Sequence, residues 1–352
     1  MLKNKKKIII ALCITLIILF VTAPLFLSVY IYKSNFGSRY ETISWMVRSL
    51  NEFPGLNAHK YTFASNNEQQ LVGYSYYREP KNIKGVVVIA HGLGGGGHNS
   101  YMDVANHFAT NGYIVFAYDA TGNDESEGDN VRGIPQGLID LDYAIRFVKE
   151  NEEFKDLPIM LFGHSWGAYS VGSVLNVHPD IRAVVMIAGF NKSADIIEEE
   201  GQRIMGSGMS LLMPYISIVE RVKFGTCASY NCIDGFEASN AGVMIIHSAN
   251  DDMVSFENQF ERFSDTYQNN SRFTFIRYEN RGHDYVYYSD ASKEYRNEIN
   301  NQFTEYVNSL DAELTAEIKT DYMNEHLEKN MLFDLDIELM DKIVSFYDKY
   351  AK

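Results

Sequence analysis

Six short runs of consecutive, mostly apolar residues, at 85–90, 113–118, 158–162, 183–188, 242–247 and 273–278, constrain the fold of this chain more than any other feature. Apolar runs without polar alternation suit strands that are covered on both faces. Helical patterns fill most of the gaps, at 101–110, 137–150, 168–177 and 257–267, with another at 293–310 after the last run. Strand and helix alternating in this way predict an α/β fold: a mostly parallel sheet, right-handed crossovers and helices on both faces. Residues 61–64 and 71–77, divided by the polar turn 65–70, read as an opening antiparallel pair.

One interval breaks the rhythm. About fifty residues separate the runs ending at Ala188 and beginning near Ala241, where a simple crossover needs roughly a dozen or more. The expectation is a lid at 191–240 inserted over the carboxyl edge of the sheet, with a core made of 59–190 and 241–352. The tail is expected to be helical, with Leu332, Leu335, Ile337, Leu339, Ile343 and Phe346 available for packing.

Between the run 158–162 and the helical pattern 168–177 stands Gly163-His164-Ser165-Trp166-Gly167. A serine between two glycines at a strand-to-helix turn is the G-x-S-x-G elbow, which projects a nucleophile from the end of a strand and leaves no room for side chains on either side. Serine needs a base, and His283, just past the last strand in Arg281-Gly282-His283, lies at the same predicted edge. His91 and His98 flank a glycine loop and are read as shaping it. The base in turn needs a carboxylate between Ser165 and His283 in chain order. The loop 248–254 offers Asp251 and Asp252; Asp251 is preferred, although a one-residue difference is not resolved by spacing, and both acids are also available to cap the following helix. The loop from His91 to His98, glycine at 92 and 94–97, supplies backbone N–H groups for an oxyanion hole, with Leu93 and Trp166 as donors. It lacks the Lys-Ser/Thr ending of a P-loop and the spacing of a dinucleotide fingerprint.

Taken together, His91-Gly92-Leu93-Gly94, Asp119-Ala120-Thr121-Gly122 with Ser126-Glu127-Gly128, the elbow 163–167, His247 through Asp251 and Gly282-His283 resemble the α/β-hydrolase superfamily. The similarity runs from about Tyr61 to Leu310 and is greatest to the monoacylglycerol-lipase-like and serine-aminopeptidase (S33)-like branch. It implies an α/β-hydrolase fold, nucleophile Ser165, acid Asp251, base His283, donors Leu93 and Trp166, and no metal or organic cofactor. The chain departs from the branch at Ala120, where arginine is common, and at Ser248 and Ser255, where glycine and proline often stand.

In the lid, Met205, Met209, Leu211, Leu212, Met213 and Ile216 are candidates for an adaptable acyl pocket, with plain cap packing as the alternative. Glu198, Glu199 and Glu200 are placed to receive a substrate ammonium or to form a solvated helix end. The expected activity is that of a membrane-anchored, lipase- or esterase-like serine hydrolase that cleaves the ester or lipid acyl group of a small-molecule substrate by a Ser-His-Asp acyl-enzyme mechanism. A serine aminopeptidase or amidase, acyl transfer to an alcohol, and an inactive hydrolase-fold binding protein are the alternatives.

At the amino end, four lysines among residues 1–7 precede 25 uncharged residues, 8–32. As a helix these would reach about 37 Å, enough for a roughly 30 Å hydrocarbon layer. The expectation is a single-pass anchor at 8–32, a cytoplasmic basic tail at 1–7, a juxtamembrane linker at 33–58 and an extracytoplasmic catalytic body. A cleaved signal peptide is the main rival. Cys13 would lie inside the span. Cys227 and Cys232 are close enough for a small disulfide in an oxidising compartment, or remain two thiols. The whole chain carries 31 basic against 46 acidic residues, a net charge of −15, which disfavours nucleic acid as a partner.

Overall fold

The computed structural model describes residues 2–79, 83–94, 96–310 and 313–352; within the first helix it describes the side chains of 5–7, 10–12, 14, 15, 20 and 22–36. The side chain of Cys13 and Gly95 of the glycine loop lie outside the described residues.

Eight strands form one sheet in the order β1-β2-β4-β3-β5-β6-β7-β8. β1 (Asn57–Ala64) and β2 (Gln70–Tyr77) pair antiparallel with each other, and β2 pairs antiparallel with β4 (Tyr113–Tyr118). From β4 onward every pairing is parallel, through β3 (Gly85–Ala90), β5 (Ile159–His164), β6 (Ala183–Ile187), β7 (Gly242–Ser248) and β8 (Phe273–Tyr278). The sheet is covered twice, as the unbroken apolar runs require. Strand periodicity sends Val86, Val88 and Ala90 into one core, with Leu138, Ile145 and Val171, while Val87 and Ile89 enter the other with Val104, Phe108 and Ile343.

The first core is covered by α3 (Ile134–Glu150), α4 (Trp166–Ser173) and α8 (Arg262–Tyr267). The second is covered by α2 (Met102–Thr110) and the terminal helix α12 (Ile337–Tyr350), whose Tyr347 hydroxyl donates to the Leu161 carbonyl at 2.7 Å. Of the expected tail positions, Leu332, Leu335, Leu339, Ile343 and Phe346 are buried, whereas Ile337, in the first turn of α12, is exposed. Between β6 and β7 the chain forms α5 (Ser193–Met205), α6 (Met209–Phe224) and α7 (Cys232–Ala238).

The amino-terminal expectation needs correction. Residues Leu2–Phe36 form a helix, α1, yet among the described residues no helix is long and apolar enough to cross a membrane. The anchor at 8–32 is therefore overturned, and with it the extracytoplasmic assignment of the body. The reason is visible at the carboxyl end of α1: Ser28, Tyr32 and Phe36 are buried by the protein itself, and α1 packs on α6. A spanning helix must instead present its surface to lipid. Residues 38–48, expected as part of a linker, are stitched to the body. Tyr40 and Asp124 exchange backbone hydrogen bonds with the chain around them, Tyr40 N to Gly122 O and Asp124 N to Tyr40 O, each at 3.0 Å. Arg39 donates to the carbonyls of Ser126, Asp124 and Gly128, and buried Arg48 pairs with Glu52 and Asp103.

Cys227 and Cys232 are both free thiols. Burial pushes the Cys232 thiol up to about 12, and the Ser173 hydroxyl beside it only partly offsets that rise.

Candidate active site

The carboxyl ends of the parallel strands lie along one edge, the usual position for ligands in such sheets. Ser165 stands between β5 and α4 at φ 54°, ψ −115°, a conformation that a serine adopts only under local constraint. Flanking glycines make this turn possible. A Cβ on Gly163 would lie 2.3 Å from the Gly167 carbonyl oxygen, and one on Gly167 would lie 1.9 Å from the Ala90 oxygen of β3. Trp166 is buried behind the elbow, with its Nε1 donating to the Ile134 carbonyl at 2.7 Å.

His283 follows β8. Its Nδ1 lies 2.8 Å from Asp251 Oδ2 and 3.0 Å from Oδ1. Asp252 is exposed, and the following helical turn is capped by Ser255, whose hydroxyl accepts from Asn258 N at 3.1 Å. The two acids are thus distinguished by position: Asp251 faces the histidine and Asp252 faces water. Asp251 Oδ1 also accepts from the backbone N–H groups of Met253 and Val254, at 2.9 and 2.8 Å. Burial opposes ionisation of Asp251, but hydrogen bonds from His247 and His283 outweigh it and hold the carboxyl well below the usual range. For His283 burial opposes protonation, and the hydrogen bond and charge of Asp251 outweigh it, so its pKa is raised.

Three supporting residues were missed by the sequence reading. His247, fully buried at the end of β7, places Nε2 3.1 Å from Asp251 Oδ2 and 3.1 Å from the Val254 carbonyl. Both neighbours are acceptors, so Nε2 carries the proton and steadies the carboxylate from the side opposite His283. Ser248 Oγ accepts from Arg281 N and donates to Asn250, whose Oδ1 accepts from Gly282 N, each bond 2.8 Å long. This clamp joins the acid loop to the histidine loop. Its only sequence trace was the departure from glycine at 248.

Ser165, His283, Leu93, Trp166, Met205 and Met209 line a single cavity of about 770 Å³. Leu212 does not; it is buried in the core, and Leu211 points to solvent. Ile216 and Glu200 do line the cavity, while Glu199 hydrogen-bonds Gln259 at 2.8 Å. His91 shapes the glycine loop, its Nε2 accepting from Ala120 N at 2.9 Å, and His98 Nδ1 sits 2.8 Å from buried Asp119. His164, His283 and Asp284 bring ligand-capable atoms within 4.8 Å of one another. The rings of the first two are already engaged, His164 Nε2 with the His283 carbonyl at 3.0 Å and His283 Nδ1 with Asp251.

This sheet order and this elbow are those of the α/β-hydrolase fold. Within it, residues 81–231 match the family described as serine aminopeptidase, S33. An esterase of Pyrococcus furiosus superposes with a TM-score of 0.53 at 15% identity, covering 78% of this chain and 99% of that one. Acetyl xylan esterase 1 of a Thermoanaerobacterium species gives 0.50 at 13%, covering 70% and 83%. An acylaminoacyl peptidase of Pyrococcus horikoshii gives 0.50 at 14%, covering 76% and 45%. At such identities the likeness concerns the fold alone. Caffeoylshikimate esterase of Arabidopsis thaliana is 33% identical over 87 residues, 24% of this chain, and the match spans only 26% of that protein.

Proposed function

We propose that the protein is a serine hydrolase that cleaves a small-molecule acyl ester through an acyl-enzyme. The observation that carries this reading is the pairing of His283 Nδ1 with Asp251, at 2.8 Å, in a histidine that shares a cavity with Ser165 on its strained elbow. In the first half-reaction His283 Nε2 takes the Ser165 proton as Oγ attacks the acyl carbonyl. The oxyanion rests on the backbone N–H groups of Leu93 and Trp166, and His283 returns its proton to the departing alcohol. In the second half, water, deprotonated by His283, attacks the acyl-serine, and His283 returns that proton to Ser165 Oγ as the acyl–Oγ bond breaks and the carboxylic acid leaves. Asp251 keeps the proton on Nδ1 and stabilises the imidazolium that forms twice per cycle.

Labelling with a fluorophosphonate probe tests the assignment. Wild type is expected to label and Ser165→Ala to lose all labelling and all ester turnover; equal labelling of both would remove Ser165 from the role.

A second reading, cleavage of an aminoacyl amide, is favoured by the description of the matching family and by Glu200 in the cavity wall. Arg203 Nη2 lies 2.7 Å from Glu200 Oε1, however, so that carboxylate already has a cation. Comparing p-nitrophenyl esters with aminoacyl p-nitroanilides separates the two readings.

A further inference from the structure

The cavity that contains Ser165 is bounded on one side by residues from outside the matched segment: the end of α1, with Ile31, Tyr32 and Phe36, and the strap with Tyr40, Ile43 and Met46. We propose that residues 30–46 are a wall of the substrate pocket and that Tyr32 is a specificity-determining residue for the length of the acyl chain. The inference rests on Ser165 being the nucleophile that the acyl group meets.

Three observations carry it. The cavity, about 770 Å³, is of ligand size, and apolar side chains of α5 and α6, among them Ile196, Met209 and Ile216, line it together with this wall. This apolar lining from three helices suits an unbranched hydrocarbon chain.

The wall is also held rigidly. Tyr32 is 3% exposed and donates its hydroxyl to Glu220 of α6 at 3.1 Å, while Ser193 of α5 donates to the same oxygen at 2.5 Å. The ring of Tyr32 packs on Phe36, centroids 4.7 Å apart, under Lys223 Nζ at 4.9 Å. One carboxylate oxygen of Glu220 thereby ties both α1 and α5 to α6.

Finally, the body is shaped to receive Tyr32. Gly133, at φ 146°, opens α3, and a Cβ there would lie 1.9 Å from the Tyr32 hydroxyl. No side chain larger than hydrogen fits at 133 while Tyr32 is seated.

The test uses the full chain. kcat/KM is measured for p-nitrophenyl acetate and decanoate in wild type, Tyr32→Phe, Tyr32→Ala and Ser34→Trp, the last adding bulk from an exposed position that lines the same cavity. Each methylene in good apolar contact is worth roughly fourfold. The decanoate-to-acetate ratio is therefore expected to fall by about tenfold or more in Tyr32→Ala and in Ser34→Trp, and by much less in Tyr32→Phe. In a Ser165→Ala background, binding of cis-parinaric acid is expected to weaken by a similar factor in both. Unchanged ratios and unchanged fatty-acid affinity in folded variants overturn the proposal. Should Tyr32→Ala fail to fold, Ser34→Trp decides alone. If wild type hydrolyses no ester while cis-parinaric acid binds and Ser34→Trp abolishes that binding, the hydrolase reading fails and the wall stands.

Discussion

Replacing Glu220 by glutamine should stabilise the protein by an amount that grows as pH rises from about 4.5 through about 7. Glu220 is 2% exposed on α6. Burial lifts its pKa from about 4.5 to about 7, and the hydrogen bonds from Ser193 and Tyr32 and the charge of Lys223 only partly restrain the rise. Tyr32 from α1, Ser193 from α5 and Lys223 from α6 itself face the carboxyl; Tyr169 of α4 interacts with it electrostatically, and Arg132 acts on Lys223. In the unfolded chain the same carboxyl titrates in its ordinary range. Between the two values the folded state binds more protons, so stability falls as pH rises. The contribution of protonated Glu220 is complete below about 4.5 and is lost as pH passes through about 7. A rise of this size corresponds to roughly 3 kcal/mol at pH well above 7. Glutamine keeps an acceptor for both hydroxyls and never ionises. Urea unfolding at pH 5 and pH 8.5 should therefore show Glu220→Gln close to wild type at the lower pH and about 3 kcal/mol more stable at the higher. A difference between variant and wild type that is the same at both pH values would refute the reasoning.

Other outcomes follow from the site. Because Asp251 raises the pKa of His283, the acid limb of kcat/KM should have its midpoint above the ordinary histidine value, and Asp251→Asn should lower both the midpoint and kcat, as a pH-rate profile on a soluble ester will report. His247→Leu removes a donor from Asp251, leaving more charge to act on His283; kcat should fall and the acid limb move to higher pH, whereas a purely structural loss would leave the limb in place. Gly167→Ala sets a Cβ 1.9 Å from the Ala90 oxygen, which no rotamer relieves, so destabilisation of about 3 kcal/mol is expected in a denaturant melt, with loss of probe labelling.

Patterns set by a residue and its near neighbours were legible in the chain. Strand runs 85–90 and 158–162 announced two-sided burial because periodicity and apolarity are local properties, and the elbow was legible because two glycines and a serine must be adjacent to make that turn. Asp251 was preferred from the sequence, but its separation from Asp252 needed the fold, since only the approach of the β7 and β8 loops turns one carboxylate toward His283 and leaves the other in water. The same holds for His247, Ser248 and Asn250, whose partners come from other turns of the chain. The amino-terminal run shows the limit most plainly. Its lack of charge reads alike for a bilayer and for a protein interior, because both exclude water; only the packing of Ser28, Tyr32 and Phe36 against the body, with the Tyr32 hydroxyl on Glu220 of α6, makes the end of that helix a wall of the cavity.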